Sequence, residues 1–140
     1  MALRISRALH TQILRQAAES PGREVCGLLT GDAEAILGVL PAANVASDPA
    51  TRFEIDPVTL FAAIRAEREG GPTIIGHYHS HPKGRAQPSP RDAADSGGAP
   101  RLWLLVAGND VTAWRSGAAQ GLHGAFAPIE LVVESGCKVA

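Results

Sequence analysis

Two histidines separated by a single residue, His79 and His81, are the clearest chemical signal in the sequence. They end an apolar segment that favours a strand, and side chains two residues apart on an extended backbone point to the same side. Two neutral imidazole nitrogens placed in this way can bind one metal ion. A third histidine, His77, lies on the same predicted face and could replace one of the pair, because spacing alone does not choose among the three.

A hydroxyl and a carboxylate follow shortly after this strand. Ser89 comes after a proline-rich loop, and Asp92 is the third residue of a helix that Ser89 would cap. Loop and helix can fold back toward the strand end, where two imidazoles and one carboxylate suit Zn²⁺ and leave a fourth position for water. Asp95 is the rival acid, but its side chain should project farther from the strand. Taken separately, both motifs also fit a structural interpretation, as surface histidines and an ordinary capping box.

Helices and strands that could position these side chains are readable from periodicity, capping residues and turns. The Gly31-Asp32 step and the turn at Gly108-Asn109-Asp110 predict hairpins, which argue against a purely parallel sheet. We therefore predict a mixed sheet with helices on its faces. The predicted helices cover 6–19, 56–70 and 89–96, and the predicted strands cover 25–30, 35–40, 73–79, 102–106, 111–116 and 128–133.

Length and composition indicate one folded domain over residues 1–140. The chain has 14.6 kDa of mass, 45% hydrophobic residues and 19% charged residues, which is enough apolar material for a core. A net charge of -1 without a concentrated basic face argues against nucleic acid as the main partner. The sequence contains no apolar stretch of about 18 residues, so we expect no membrane span.

Cysteine usage and the first residues bear on location. Cys26 and Cys137 form no CxxC motif and are too few for a disulfide framework, which favours a reducing compartment. The first 21 residues contain no apolar segment typical of a secretory signal. We therefore expect a cytoplasmic protein in which Cys26 is a small buried thiol rather than a nucleophile.

The motif as a whole resembles a known family. The sequence His79-Ser80-His81-Pro82, with seven residues between His81 and Ser89 and two between Ser89 and Asp92, is preceded by Glu24-Val25-Cys26-Gly27-Leu28-Leu29. This arrangement resembles the JAMM (MPN+) metallopeptidases, whose pattern is Glu followed by His-x-His-x7-Ser-x2-Asp. The resemblance extends from the first helix to the strand around Trp103. It implies an α/β fold, the JAMM domain, in which a mixed, curved sheet is sandwiched by helices in a layout related to the cytidine deaminases.

The resemblance also implies roles for individual residues. It makes His79, His81 and Asp92 the ligands of Zn²⁺, Glu24 the general acid and base, and Ser89 the group that stabilises the oxyanion. His77 has no role in the family pattern. Without this context, Glu24 would be interpreted as a surface acid at a strand edge.

The implied reaction is zinc-dependent hydrolysis of a peptide or isopeptide bond. Small stand-alone prokaryotic members of the family resemble enzymes that cut after the Gly-Gly tail of a ubiquitin-like or sulfur-carrier β-grasp protein, and we expect such a partner here. Residues 44–53 and 83–88 are the predicted walls of the substrate groove. Two other functions stay open: a non-catalytic scaffold module and a small-molecule amide hydrolase that uses the same zinc site. The carrier, the leaving group, the oligomeric state and any role of His77 or Cys26 are not determined by the sequence.

Overall fold

Seven strands form one mixed sheet in the part of the chain that the computed structural model describes, residues 2–135; Cys137 lies outside it. The elements are β1 (Ala2–Ser6), α1 (Arg7–Ala18), β2 (Cys26–Gly31), β3 (Ala35–Ala42), α2 (Pro57–Arg68), β4 (Ile74–Ser80), α3 (Pro90–Asp95), β5 (Leu102–Ala107), β6 (Asp110–Ser116) and β7 (Phe126–Glu134). No helix among these residues combines the length and apolar character needed to cross a membrane.

The sheet curves until its two edge strands meet. The strand order is β1-β3-β2-β4-β5-β6-β7, and β1 also pairs with β7, so that the sheet closes into a barrel. Pairs β1–β3, β4–β5 and β1–β7 are parallel, whereas β2–β3, β2–β4, β5–β6 and β6–β7 are antiparallel. The prediction of an α/β fold with a mixed, curved sheet is confirmed. Closure by β1 was not predicted.

Helix α1 packs on one face of this sheet and completes the main core. The Ser6 side chain caps it by accepting a hydrogen bond from the backbone N–H of Leu9 at 3.2 Å. Ile13 is fully buried in a cluster with residues of β1–β6, among them Leu29 and Tyr78. This packing anchors the strands that carry the candidate site.

The opposite face holds the second core and the other two helices. Asp56 caps α2 and Pro57 occupies its first turn, as the sequence predicts. Trp103, Trp114 and Phe126 are buried in the second cluster, so both tryptophans pack in the core, as expected. Helix α3 contributes Ala93 to the same cluster, so the site is built on this face of the sheet.

Gly76 allows β4 and β5 to pair closely just before the histidines. A Cβ atom at this position would collide with the backbone carbonyl of Leu102. The absence of a side chain therefore keeps the parallel pairing of His77 with Trp103 and of His79 with Leu105 in register. This pairing fixes the height of the histidines along the sheet.

Candidate metal centre

The end of β4 presents His79 beside the beginning of β2. Cys26 pairs with His79 in the antiparallel ladder. Beyond this pair the two strands remain joined, because the Val25 N–H donates to Ser80 Oγ at 2.9 Å and the Ser80 N–H donates to Val25 O at 3.0 Å. Continuing the register by one residue places Glu24 opposite His81, and the alternation of side chains directs Glu24, His79 and His81 to the same face.

Helix α3 supplies the carboxylate through a complete capping box. Ser89 Oγ accepts a hydrogen bond from the Asp92 N–H at 3.0 Å, and Asp92 Oδ2 accepts one from the Ser89 N–H at 2.9 Å. The same carboxylate faces the imidazoles of β4. The predicted capping box is therefore present, and the same cap orients the carboxylate that reaches the histidines.

Three side chains, with two imidazole nitrogens and the two oxygens of one carboxylate, meet at spacings that suit a tetrahedral metal site. His79 Nε2 and His81 Nε2 lie 3.1 Å apart. Asp92 Oδ1 is 3.2 Å from His79 Nε2, and Asp92 Oδ2 is 3.1 Å from His81 Nε2. Ligand bonds of about 2.0–2.1 Å at tetrahedral angles give ligand–ligand distances of roughly 3.3 Å. The three residues therefore fit a zinc ion with only small adjustments.

The protonation of these groups also suits metal binding. His81 Nδ1 lies 2.8 Å from Arg85 O, so this nitrogen donates and Nε2 is the nitrogen that faces the other ligands. Burial lowers the pKa of His79, which favours the neutral imidazole. For Asp92, burial disfavours the charge, but hydrogen bonds from His79 and His81 hold its pKa well below the usual range. Burial acts to lower the pKa of His81, but hydrogen bonds to Asp92 and to Arg85 O raise it. Without a metal ion the site therefore offers a neutral His79, an ionised Asp92 and a His81 whose Nε2 proton a bound metal would replace.

Glu24 is a buried acid without a fixed partner. Glu24 is only 6% exposed, and among residues 2–135 its Oε1 has no hydrogen-bond partner. Burial raises the pKa of Glu24 to about 7, although the charges of His81 and Arg91 work in the opposite direction. A carboxyl group that titrates near neutrality can both accept and return a proton.

The structure separates His77 from the other two histidines. His77 lies outside the group of ligand atoms that His79, His81 and Asp92 form. Its ring instead packs edge-on against Trp103 at a centroid distance of 4.4 Å, and burial lowers its pKa to about 3. The structure therefore groups His79 and His81, and not His77, with Asp92.

The remaining rivals contact other groups. Asp95 forms an ion pair with Arg52 at 3.8 Å, so this acid points away from the imidazoles as predicted. Cys26 is fully buried, and desolvation raises the pKa of its thiol to about 12, which agrees with an inert thiol.

A cleft of about 510 Å³ lies beside His77 on the face that carries the site. One wall comes from residues 52–55 and Leu60, the other from Asp95 and Ser96, and His77 and Trp103 also line it. Phe53 stacks on the His79 ring at a centroid distance of 4.3 Å, a contact that sequence reasoning missed. The predicted wall at 44–53 thus meets this cleft at its last two residues, whereas 83–88 does not line it.

Residues 83–88 instead form a loop whose backbone carbonyl groups accept hydrogen bonds from side chains elsewhere in the fold. His81 Nδ1 binds Arg85 O, Thr112 Oγ1 donates to Ala86 O, and His123 Nε2 lies 3.1 Å from Pro88 O. His123 itself is exposed. Its backbone φ of 55° is in the left-handed region. Partners 26 and 35 residues away along the chain carry no local sequence signal.

Comparison with known proteins connects this geometry with a family. Residues 6–117 match the family model described as prokaryotic homologs of the JAB domain. The chain is 38% identical over 78 residues to a desampylase of Haloferax volcanii, a match that covers 54% of this chain and 56% of that protein. It is 34% identical over 96 residues to a probable TtuB-protein conjugate cleaving protease of Thermus thermophilus, covering 69% of this chain and 64% of that protein.

A solved structure matches nearly the whole fold. The solution structure of a protein from Desulfitobacterium hafniense is similar with a TM-score of 0.80 and 21% sequence identity, covering 96% of this chain and 94% of the other. The chain spans little more than half the length of the Haloferax relative and somewhat less than two thirds of the Thermus relative.

Proposed function

The chain belongs to the family of prokaryotic homologs of the JAB domain, as its motif predicts, and from this premise we propose that it is a zinc-dependent isopeptidase. Its substrates are conjugates of a ubiquitin-like or sulfur-carrier β-grasp protein, cut after a C-terminal Gly-Gly. Relatives named desampylase and TtuB-conjugate cleaving protease support this class of substrate. The observation that carries the proposal is the convergence of His79, His81 and Asp92 beside Glu24, whose pKa is about 7.

In this proposal His79, His81 and Asp92 hold the metal. When bound, zinc supplies a Lewis acid and lowers the pKa of water in its open coordination position. Loss of any one ligand leaves two protein contacts and should weaken metal binding strongly. The separate β4 and α3 origins of the ligands also make the site sensitive to how these two elements pack.

Glu24 moves the proton that hydrolysis requires. Its carboxylate accepts a proton from the attacking water while the oxygen of that water bonds to the carbonyl carbon. The acid form then gives this proton to the departing amine nitrogen as the C–N bond breaks. One proton is taken and one is returned, so the reaction is balanced without any further donor, and a pKa near neutrality suits both transfers.

Ser89 can stabilise the charge that develops on the carbonyl oxygen. Its Oγ already accepts a hydrogen bond from the Asp92 N–H, so the hydroxyl proton is free to be donated. The capping box holds the Oγ in place before the substrate binds. A preorganised donor of this kind is worth about 3–4 kcal/mol in a transition state.

Two features support a protein substrate with a flexible diglycine tail. The cleft beside His77 is lined on one side by residues 52–55, against which a tail without Cβ atoms can lie closely, and Phe53 of this wall stacks on His79. Helix α2 borders the cleft with Leu60 and presents Val58 and Phe61 to solvent, 74% and 62% exposed. Two exposed apolar side chains on the helix that borders the cleft suit contact with a folded partner.

The proposal treats residues 1–140 as one domain and places the protein in the cytoplasm. Within residues 2–135 Cys26 forms no disulfide, which supports a reducing compartment. A scaffold role is the weaker alternative, because it would not require a complete ligand set and a buried acid.

The test is cleavage of a β-grasp protein whose Gly-Gly tail is extended by a reporter peptide or joined to a lysine side chain, followed by mass spectrometry. We expect cleavage after the second glycine by the zinc-loaded protein and none when the tail ends in Val-Val. Failure to cleave either Gly-Gly substrate would contradict the proposed function, and hydrolysis of small amides alone would favour the small-molecule alternative.

Substitutions separate the roles of the site residues. Glu24→Gln should retain zinc and lose turnover, whereas His79→Ala and Asp92→Ala should lose zinc, as measured by metal analysis of the purified variants. Glu130→Gln, which changes an exposed acid on β7 outside the cleft, is the matched control and should remain active. Full activity of Glu24→Gln with normal zinc content would remove Glu24 from the mechanism.

A further inference from the structure

The side chain of Asn44, two residues after β3, makes four hydrogen bonds to backbone groups. Its Nδ2 donates to Glu24 O at 2.9 Å and to Arg52 O at 3.1 Å. Its Oδ1 accepts from the backbone N–H groups of Ala46 at 3.0 Å and Glu54 at 3.1 Å. An asparagine amide has two N–H donors and one oxygen with two lone pairs, so its full capacity is used. A flipped amide would place its NH₂ group against the two backbone N–H groups and its oxygen against the two carbonyls. Only the observed orientation therefore satisfies all four bonds.

Glu24 depends on this segment because it lies before β2 begins. Its backbone N–H donates to Pro49 O at 2.7 Å, and its carbonyl accepts the bond from Asn44. Both backbone polar groups of Glu24 are therefore bonded to the segment 44–55 and not to the sheet. Movement of this segment would move the Glu24 backbone with it.

The other pair of Asn44 bonds surrounds a residue that touches a predicted metal ligand. Arg52 O and the Glu54 N–H flank Phe53, whose ring stacks on His79. Further bonds between Val45 N–H and Glu54 O at 2.9 Å and between Asp56 N–H and Ala43 O at 3.0 Å tie the two ends of the segment together. One amide thus joins the backbone of the candidate acid to the aromatic ring that packs on the metal side.

We propose, on the basis of the proposed function, that Asn44 is a positioning residue that sets the Glu24 carboxylate relative to the metal ligands. It acts through the Glu24 backbone and touches neither substrate nor metal. In the described part of the chain, 2–135, Glu24 Oε1 has no hydrogen-bond partner, so the Glu24 backbone is the main determinant of where the carboxylate lies. Proton transfer depends steeply on such placement, and an error of about 1 Å can reduce a rate about 100-fold.

The test compares Asn44→Ala and Asn44→Asp with the control Thr51→Ala. Thr51→Ala removes an exposed hydrogen bond of the same segment, from Thr51 Oγ1 to Asp48 Oδ2 at 2.7 Å, which does not reach Glu24. Asn44→Asp keeps the two acceptor bonds that shape the segment and places a second oxygen against the carbonyls of Glu24 and Arg52. We expect both Asn44 variants to lose about 10–100-fold in kcat, with a smaller change in KM and unchanged zinc stoichiometry, and the control to stay close to the unchanged protein.

A double-mutant cycle decides whether the effect passes through Glu24. At high enzyme concentration in a Glu24→Gln background, we expect Asn44→Asp to cause little further loss in kcat, because the group that it positions is already inactive. A full additive loss would mean that Asn44 only stabilises the segment, and it would overturn the proposal.

Hydrogen exchange gives a readout that does not need turnover. With zinc bound, Asn44→Asp should speed amide exchange at Glu24, whereas Thr51→Ala should not. Unchanged exchange at Glu24 would contradict the proposal. If the unchanged protein fails to cleave any conjugate, the proposed function fails, while the exchange measurement still tests how Asn44 holds Glu24.

Discussion

At the scale of single residues, the buried surroundings of Glu24 disfavour the ionised form of its carboxyl group. The pKa of this carboxyl group is near 4.5 in the unfolded chain, whereas burial raises it to about 7 in the folded protein. Between these pH values the unfolded state binds fewer protons, so the free energy of unfolding falls as the pH rises. Above pH 7 the buried carboxylate is ionised and lowers the free energy of unfolding by its full amount.

Removal of this charge should therefore stabilise the protein only at higher pH. In chelator-treated samples, we expect Glu24→Gln to resemble the unchanged protein near pH 4.5 and to exceed it in free energy of unfolding by about 1–3 kcal/mol at pH 8. Urea unfolding at several pH values measures this difference. Glu54→Gln, at an exposed position, should show no such trend, and an equally flat profile for Glu24→Gln would show that burial does not shift this group.

The residues of the candidate site differ in how far the sequence predicts them. The spacing of His79, His81 and Asp92 predicts that their side chains face one another, because strand alternation and helix capping each depend only on neighbouring residues. The choice against His77 depends on Trp103, which pairs with it across the sheet. Asn44 was missed because its partners at Glu24 and Arg52 lie 20 and 8 residues away and only the fold brings them together.

At the scale of elements, α3 serves two purposes through one serine. Ser89 caps the helix with the same Oγ that we assign to the oxyanion, and Ser6 caps α1 without any contact with the site. Each serine-to-alanine change should cost about 1 kcal/mol of stability through the lost cap. Only Ser89→Ala should also lower kcat, by about 100-fold or more.

The comparison of Ser89→Ala with Ser6→Ala uses thermal unfolding and steady-state kinetics on the same preparations. Equal losses of stability with unequal losses of kcat would support the proposed role of Ser89. A normal kcat for Ser89→Ala would leave Ser89 as a helix cap alone.

Element boundaries were predictable where a cap or turn marks them. Asp56-Pro57 and Ser89-Pro90 locate the starts of α2 and α3 correctly, because both pairs act within one helical turn. Strand β1 was missed. It is five residues long, directly precedes a helix, and pairs with β3 and β7, so neither its length nor its neighbours along the chain indicate a strand.

At the scale of the whole molecule, the exposed face of α2 should contribute to binding of a folded substrate. We expect Val58→Ser combined with Phe61→Ser to raise KM for a β-grasp conjugate by about tenfold, because buried apolar contacts of this size contribute more than about 1 kcal/mol. The kcat for the conjugate, and kcat/KM for a short peptide that contains the same Gly-Gly sequence, should not change. Val132→Ser, at an exposed position on β7, is the matched control.

An increase in KM for both the conjugate and the short peptide would place the defect in the cleft and not on α2. Unchanged kinetics for the conjugate would show that the partner approaches from another side. Either result would leave the roles of the metal ligands intact, because α2 contributes none of them.

Closure of the sheet by β1 has a consequence for how the molecule forms during synthesis. β1 leaves the ribosome before the other six strands, yet five of its residues pair with β7 and only two with β3. Its longer partner is made more than a hundred residues later, and such distant pairing slows folding. The nascent chain can assemble β2 to β5, and with them the histidines, before the barrel closes, so closure should wait for translation of β7.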